Sequence, residues 1–106
     1  MRYRMLGRTG LKVSVIGLGT IKFPQIDSRQ ASEVVNRALD LGINFIDTAR
    51  NYGDSERKIG LAIRRRREEC YIATKTASRT YEGAMRDLET SLRELQTDYI
   101  DLWQLH

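Results

Sequence analysis

The chain has one cysteine, Cys70, and one histidine, His106, among its 106 residues. A lone cysteine excludes an intramolecular disulfide, and one of each is too few for a conventional structural zinc site. A reducing, cytoplasmic setting is expected. Long apolar runs are also missing. Arg2, Arg4 and Arg8 are followed by no continuous hydrophobic stretch, so the N-terminus reads neither as a signal peptide nor as a membrane span. A soluble protein is expected. The third glycine of a dinucleotide fingerprint is absent too: after Gly17 and Gly19 it would stand at position 22, which is Lys22, and a Rossmann site is unsupported. Net charge is +4, and Arg64-Arg65-Arg66-Arg67 carry much of the excess, but no aromatic residue interleaves them and Glu68 and Glu69 follow at once. On a helix turning ~100° per residue, four consecutive arginines spread around the surface instead of forming a stripe. No nucleic-acid or membrane partner is expected.

What remains, with 41% hydrophobic residues, is enough for one modest core. Tyr3 to Val15 is broken by Gly7-Arg8-Thr9-Gly10, which predicts a hairpin over residues 1–14. Val13 to Leu18 reads as the first core strand. Asp27 and Gln30 have the form of a helix-capping pair, Ala31, Val34, Val35, Ala38 and Leu41 follow at helical spacing, and Gly42 ends the helix. Ile43 to Ala49 predicts a second strand. Asp54-Ser55-Glu56 opens a second helix that turns Ile59, Ala62 and Ile63 inward and carries the arginines in its last turn. Cys70 to Thr74 is a third strand, with Cys70 a buried packing residue. Thr80 caps a third helix with the apolar line Tyr81, Ala84, Met85, Leu88, Leu92 and Leu95, and Tyr99 to Leu105 is a fourth strand.

The order is a hairpin followed by β-α-β-α-β-α-β over residues 15–106. Strands with little polar alternation suit a sheet covered on both faces, joined by right-handed crossovers. The expected fold class is α/β: the N-terminal half of a (β/α)8 TIM barrel, whose full circuit takes about 250 residues. Residues 1–106 then form a single partial domain lacking the C-terminal half of the barrel. Its open edges predict self-association.

Thr20, Asp47, Lys75 and His106 end successive apolar runs, at intervals of 27, 28 and 31 positions. A βα unit takes about 30 residues, and sites in such folds form beyond the carboxyl ends of the strands. The last three therefore share one mouth, and Tyr52, on the loop after Asp47, can fold over it. A phenol, with a reference pKa of ~10, donates a proton more readily when a nearby ammonium stabilises its anion. Lys75 supplies that ammonium, Asp47 holds it by an ion pair, and His106 orients an incoming oxygen. The set suits carbonyl reduction. Two other readings stay open: a Schiff-base lyase acting through Lys75, and a non-catalytic binding or regulatory half-barrel.

The sequence resembles the aldo-keto reductases. The matching stretches are Leu6-Gly7-Arg8-Thr9-Gly10-Leu11-Lys12-Val13-Ser14, Gly17-Leu18-Gly19-Thr20, Asp47-Thr48-Ala49 with Tyr52-Gly53, Ala73-Thr74-Lys75, and Asp98-Tyr99-Ile100-Asp101-Leu102-Trp103-Gln104-Leu105-His106. The resemblance implies a catalytic tetrad of Asp47, Tyr52, Lys75 and His106 with tyrosine as general acid. It also implies NADPH as hydride donor, a small-molecule carbonyl substrate, and cofactor contacts near Gly19, Thr20 and Asp47. Ile43-Asn44 replaces an aromatic-Arg pair common in the family, and Asp54-Ser55-Glu56 belongs to a longer loop. Both variations are similar to the bacterial branch, which also resembles potassium-channel β subunits. The likeness covers the whole chain but only about the first third of a family member. Most of the cofactor site is then expected outside these residues, and little activity is expected of the chain alone.

Overall fold

The computed structural model describes residues 1–106. Gly7 and Gly10, at φ 53° and 79°, take backbone conformations that other residues rarely adopt. They reverse the chain between β1 (Tyr3–Met5) and β2 (Lys12–Ser14), which pair antiparallel with Arg4 opposite Val13. The core sheet has four parallel strands in the order β3 (Leu18–Gly19), β4 (Phe45–Asp47), β5 (Tyr71–Thr76), β6 (Leu102–Leu105). The crossover helices are α1 (Ser28–Asp40), α2 (Ser55–Ala62) and α3 (Tyr81–Leu95). This is the hairpin and four-strand α/β half-barrel expected from the pattern of elements. Ile46 and Ile72 from the sheet pack against Val35, Ile59 and Leu95 from the helices and Ile63 just past α2.

The first core strand is shorter than its apolar run. Val13 and Ser14 belong to the hairpin, the chain bends at Val15 and Ile16, and β3 holds only two residues. Polar contacts cause the break. Ser14 N donates to Asn44 Oδ1 (2.7 Å), Asn44 N donates to Ser14 Oγ (3.0 Å), and that hydroxyl donates to Ile16 O (2.6 Å). Val15 and Ile16 are left exposed.

In α1 the capping pair forms in both directions: Gln30 N donates to Asp27 Oδ1 (2.8 Å) and Asp27 N to Gln30 Oε1 (3.1 Å). Ala31, Val35, Ala38 and Leu39 face inward, whereas Val34 and Leu41 of the expected stripe are exposed. The second helix ends at Ala62, before the arginines: Arg64 to Arg66 lie in turns and Arg67 opens a short 3-10 helix (Arg67–Glu69). Two of them are tied to fixed partners that a continued helix would move. Arg66 reaches Asn36, Asp40 and Glu69. Arg67 reaches Asp101, Thr97 and the carbonyls of Cys70 and Tyr99. Arg66 also holds the Glu69 carboxyl below the usual carboxylate range.

Helix α3 is rotated from its apolar line. Gly83, Ser91 and Leu95 are buried, while Tyr81 and Met85 are exposed. The close approach of α2 accounts for part of this. A Cβ on Gly60 would lie 2.7 Å from the carbonyl oxygens of Glu94 and Leu95, so only glycine lets the two helices meet there. The other part is polar and belongs to the site.

Cys70 is buried, as expected, and burial pushes its thiol up to about 11. Nucleophilic thiolate is therefore scarce at pH 8 in the folded chain. Iodoacetamide should label Cys70 only as the protein unfolds, its rate rising along the urea transition; fast labelling in buffer would count against this packing. No helix is long and apolar enough to cross a membrane.

Candidate active site

Parallel register sets the floor of the site. Gly19 lies opposite Asp47, and Asp47 opposite Ala73. Side chains two residues apart on a strand share a face. Lys75, two residues beyond Ala73, therefore points the same way as Asp47. Its Nζ donates to both carboxylate oxygens of Asp47 (3.0 and 2.9 Å) and to Thr48 O (2.7 Å). Three acceptors take all three ammonium hydrogens.

Tyr52 arrives from the loop between β4 and α2. Arg50 N donates to Lys75 O (3.0 Å), Tyr52 N to Ala49 O (3.2 Å), and Ser55 N to Tyr52 O (3.0 Å), which folds this loop back onto β5. Gly53, at φ 53°, lets Pro24 approach: a Cβ there would meet the Pro24 ring at 3.1 Å. The Tyr52 ring centroid lies 5.0 Å from Lys75 Nζ and 5.8 Å from the His106 ring, which it meets edge-on at 84°. His106 follows β6, anchored by its N–H to Thr76 O (3.0 Å) and by Arg79 Nη2 to its carbonyl (2.6 Å). Asp47, Tyr52, Lys75 and His106, chosen from sequence, are thus brought into one small volume.

Thr20 sits differently. Its side chain is wholly buried, its hydroxyl donates to Asp47 O (2.8 Å), and it accepts from Ser55 Oγ (2.8 Å). Ser55 Oγ also lies 3.0 Å from Thr48 Oγ1. These hydroxyls tie the ends of β3 and β4 to the start of α2, so the Thr20 side chain is occupied inside the protein. Gly19, by contrast, is exposed, with open space where a Cβ would point.

One residue missed in the sequence lies behind β5 and the Tyr52 loop. Glu56, 1% exposed, accepts from Arg50 Nη1, from Thr74 Oγ1 (2.7 Å) and from Ser91 Oγ (2.5 Å). In sequence it reads as an acidic residue favoured in the first turn of a helix. Its helical spacing to Ile59 and Ile63 was the available signal, because it puts the carboxylate on their buried face. The bond to Ser91 explains why α3 turns a serine inward in place of Met85.

Residues 15–106 match the model of the Aldo/keto reductase family. The chain belongs to that family. Among relatives of this aldo/keto reductase chain, aldo-keto reductase YhdN of Bacillus subtilis is 39% identical over 125 residues, covering 100% of this chain and 38% of YhdN. Solved structures agree. A Pseudomonas aeruginosa protein assigned to the aldo-keto reductases aligns with a TM-score of 0.93 at 42% identity, over 98% of this chain and 45% of the other. The holo form of aldo-keto reductase AKR11C1 from Bacillus halodurans aligns at 0.83 with 37% identity, over 100% of this chain and 38% of that one. The chain therefore spans less than half the length of these relatives.

Proposed function

We propose that Asp47, Tyr52, Lys75 and His106 form the proton-transfer side of a carbonyl reductase, with Tyr52 as general acid toward an aldehyde or ketone oxygen. The observation that carries this reading is the convergence on Tyr52 of a fixed ammonium and an imidazole, 5.0 and 5.8 Å away. When bound, NADPH would supply the hydride. Gly19 suits contact with such a cofactor, since its backbone is exposed and no side chain shields it. Thr20 would contribute only by its place after Gly19, since its N–H and hydroxyl both donate to Asp47 O, and Asp47 by its place beside Gly19 in the sheet.

Each residue then has a distinct task. The Lys75 ammonium, over the face of the phenol ring, would stabilise the anion left when Tyr52 gives up its proton. Asp47 and Thr48 O hold the ammonium so that it does not wander into solvent. His106 offers a ring N–H to the carbonyl oxygen and orients it toward Tyr52. A lysine committed to three acceptors is a poor amine nucleophile, which argues against a Schiff-base lyase. A free, buried Cys70 suits a reducing compartment such as the cytoplasm.

We also infer that residues 1–106 are one partial domain, a hairpin over 1–14 and βα units over 15–106, with most of the cofactor site beyond it. The isolated chain should bind NADPH more weakly than micromolar and turn over negligibly; micromolar affinity in a fluorescence titration would sink this. Its open sides carry apolar side chains, Ile16 and Ile21 near β3 and Leu105 in β6. In the same preparation, sedimentation should show a mass that grows with concentration. A clean monomer with cooperative unfolding would count against self-association.

A further inference from the structure

We infer that Glu56 is a positioning residue for the tetrad, a buried carboxylate that holds the strand end of Lys75 and the loop of Tyr52 in one network. The inference rests on the roles proposed above for Lys75 and Tyr52. Burying a carboxylate costs several kcal/mol in lost hydration, which only close, well-aligned donors offset. A leucine could fill the same volume on the face shared with Ile59 and Ile63 without that cost. What the carboxylate adds is direction.

Its donors lead by two routes to Lys75. Oε2 takes the hydroxyl of Thr74, the residue before Lys75 in β5. Oε1 takes the guanidinium of Arg50, whose own backbone N–H donates to Lys75 O at 3.0 Å. Arg50 also stands two residues ahead of Tyr52, so the same bond restrains the phenol's loop. Glu56 touches neither Lys75 nor Tyr52 and acts through these neighbours. The third donor, Ser91, ties Glu56 to α3, away from the tetrad. It leads to neither Lys75 nor Tyr52, but it shares Oε2 with Thr74 and so is no independent control.

The chain carries an internal control outside this network. Lys58 is 4% exposed and its ammonium is bonded to Phe23 O (3.0 Å) and Ile26 O (2.6 Å), outside the Glu56 network. Loss of the fold uncovers Lys58 together with Lys75, while loss of positioning frees Lys75 alone. The test is the acylation rate of each lysine in the 106-residue chain, using a succinimidyl ester and peptide mass spectrometry. Glu56→Gln and Arg50→Met should each raise the Lys75 rate about tenfold, the worth of one hydrogen bond to a charged group, and leave Lys58 unchanged. Should Glu56→Gln unfold the chain, Arg50→Met, which removes a single donor, decides the matter. A Lys75 rate unmoved in both variants, or rising only in step with Lys58 in both, overturns the inference. Failure of the reductase reading would show separately, as turnover that survives loss of the Tyr52 hydroxyl.

Discussion

Tyr52→Phe should lower carbonyl reduction by about 10²- to 10⁴-fold, the usual contribution of a placed general acid. The assay needs a complete barrel, so residues 1–106 would replace the corresponding segment of YhdN, which they match over their whole length. Phenylalanine keeps the ring against His106 and Lys75 and removes only the transferable proton. An interaction made in the transition state alone lowers kcat and kcat/KM together. KM should therefore hold while kcat falls. If Lys75 and Asp47 act through the phenol, Lys75→Met in the Tyr52→Phe background should add little, because residues that act as a unit are not additive. A loss in Tyr52→Phe below about tenfold would remove tyrosine from the role of acid. Another group at the same mouth would then have to supply the proton.

Glu56→Leu should destabilise the folded chain by about 3–5 kcal/mol, the range for removing one partner of a buried ion pair. A domain of this size has about 5–15 kcal/mol in all, so the urea midpoint read by circular dichroism should fall sharply or vanish. The cost comes from what is left behind: the Arg50 guanidinium loses its carboxylate, and the hydroxyls of Thr74 and Ser91 lose their acceptor. Leucine itself fits the site. The double variant Arg50→Met/Glu56→Leu should therefore recover a large part of the loss, since it leaves no stranded charge. If the single variant costs less than about 1 kcal/mol, the carboxylate is not the anchor described here.

The candidate tetrad was legible in the sequence because each member ends a strand or follows one closely. Where the chain ends a strand depends on neighbours a few residues away, on the capping of the helix that follows, and on the length of a βα unit. Asp47 and Lys75 need only parallel register to meet, and parallel register follows from the crossover helices. Cys70 was legible for a similar reason, lying at the covered start of β5. The apolar run Val13 to Leu18 was misleading because nothing within it reveals that Asn44 will bond to Ser14 and bend the chain. The line from Tyr81 to Leu95 misled in the same way, since α3 turns toward a carboxylate on another helix.

By itself, then, the sequence determined the order of elements, the α/β half-barrel architecture and the four side chains at one end of the sheet. These rest on periodicity, turn residues and spacing, which act over short stretches of chain. Only the tertiary structure decided that Glu56 is buried, that Thr20 turns its hydroxyl inward and that α3 presents Ser91 to the core. A charge or hydroxyl can be buried only where donors and acceptors await it, and for Glu56 those lie in Arg50, six residues away, and in Thr74 and Ser91, 18 and 35 residues away. Such partners become neighbours only after the chain has folded, so no local pattern announces them.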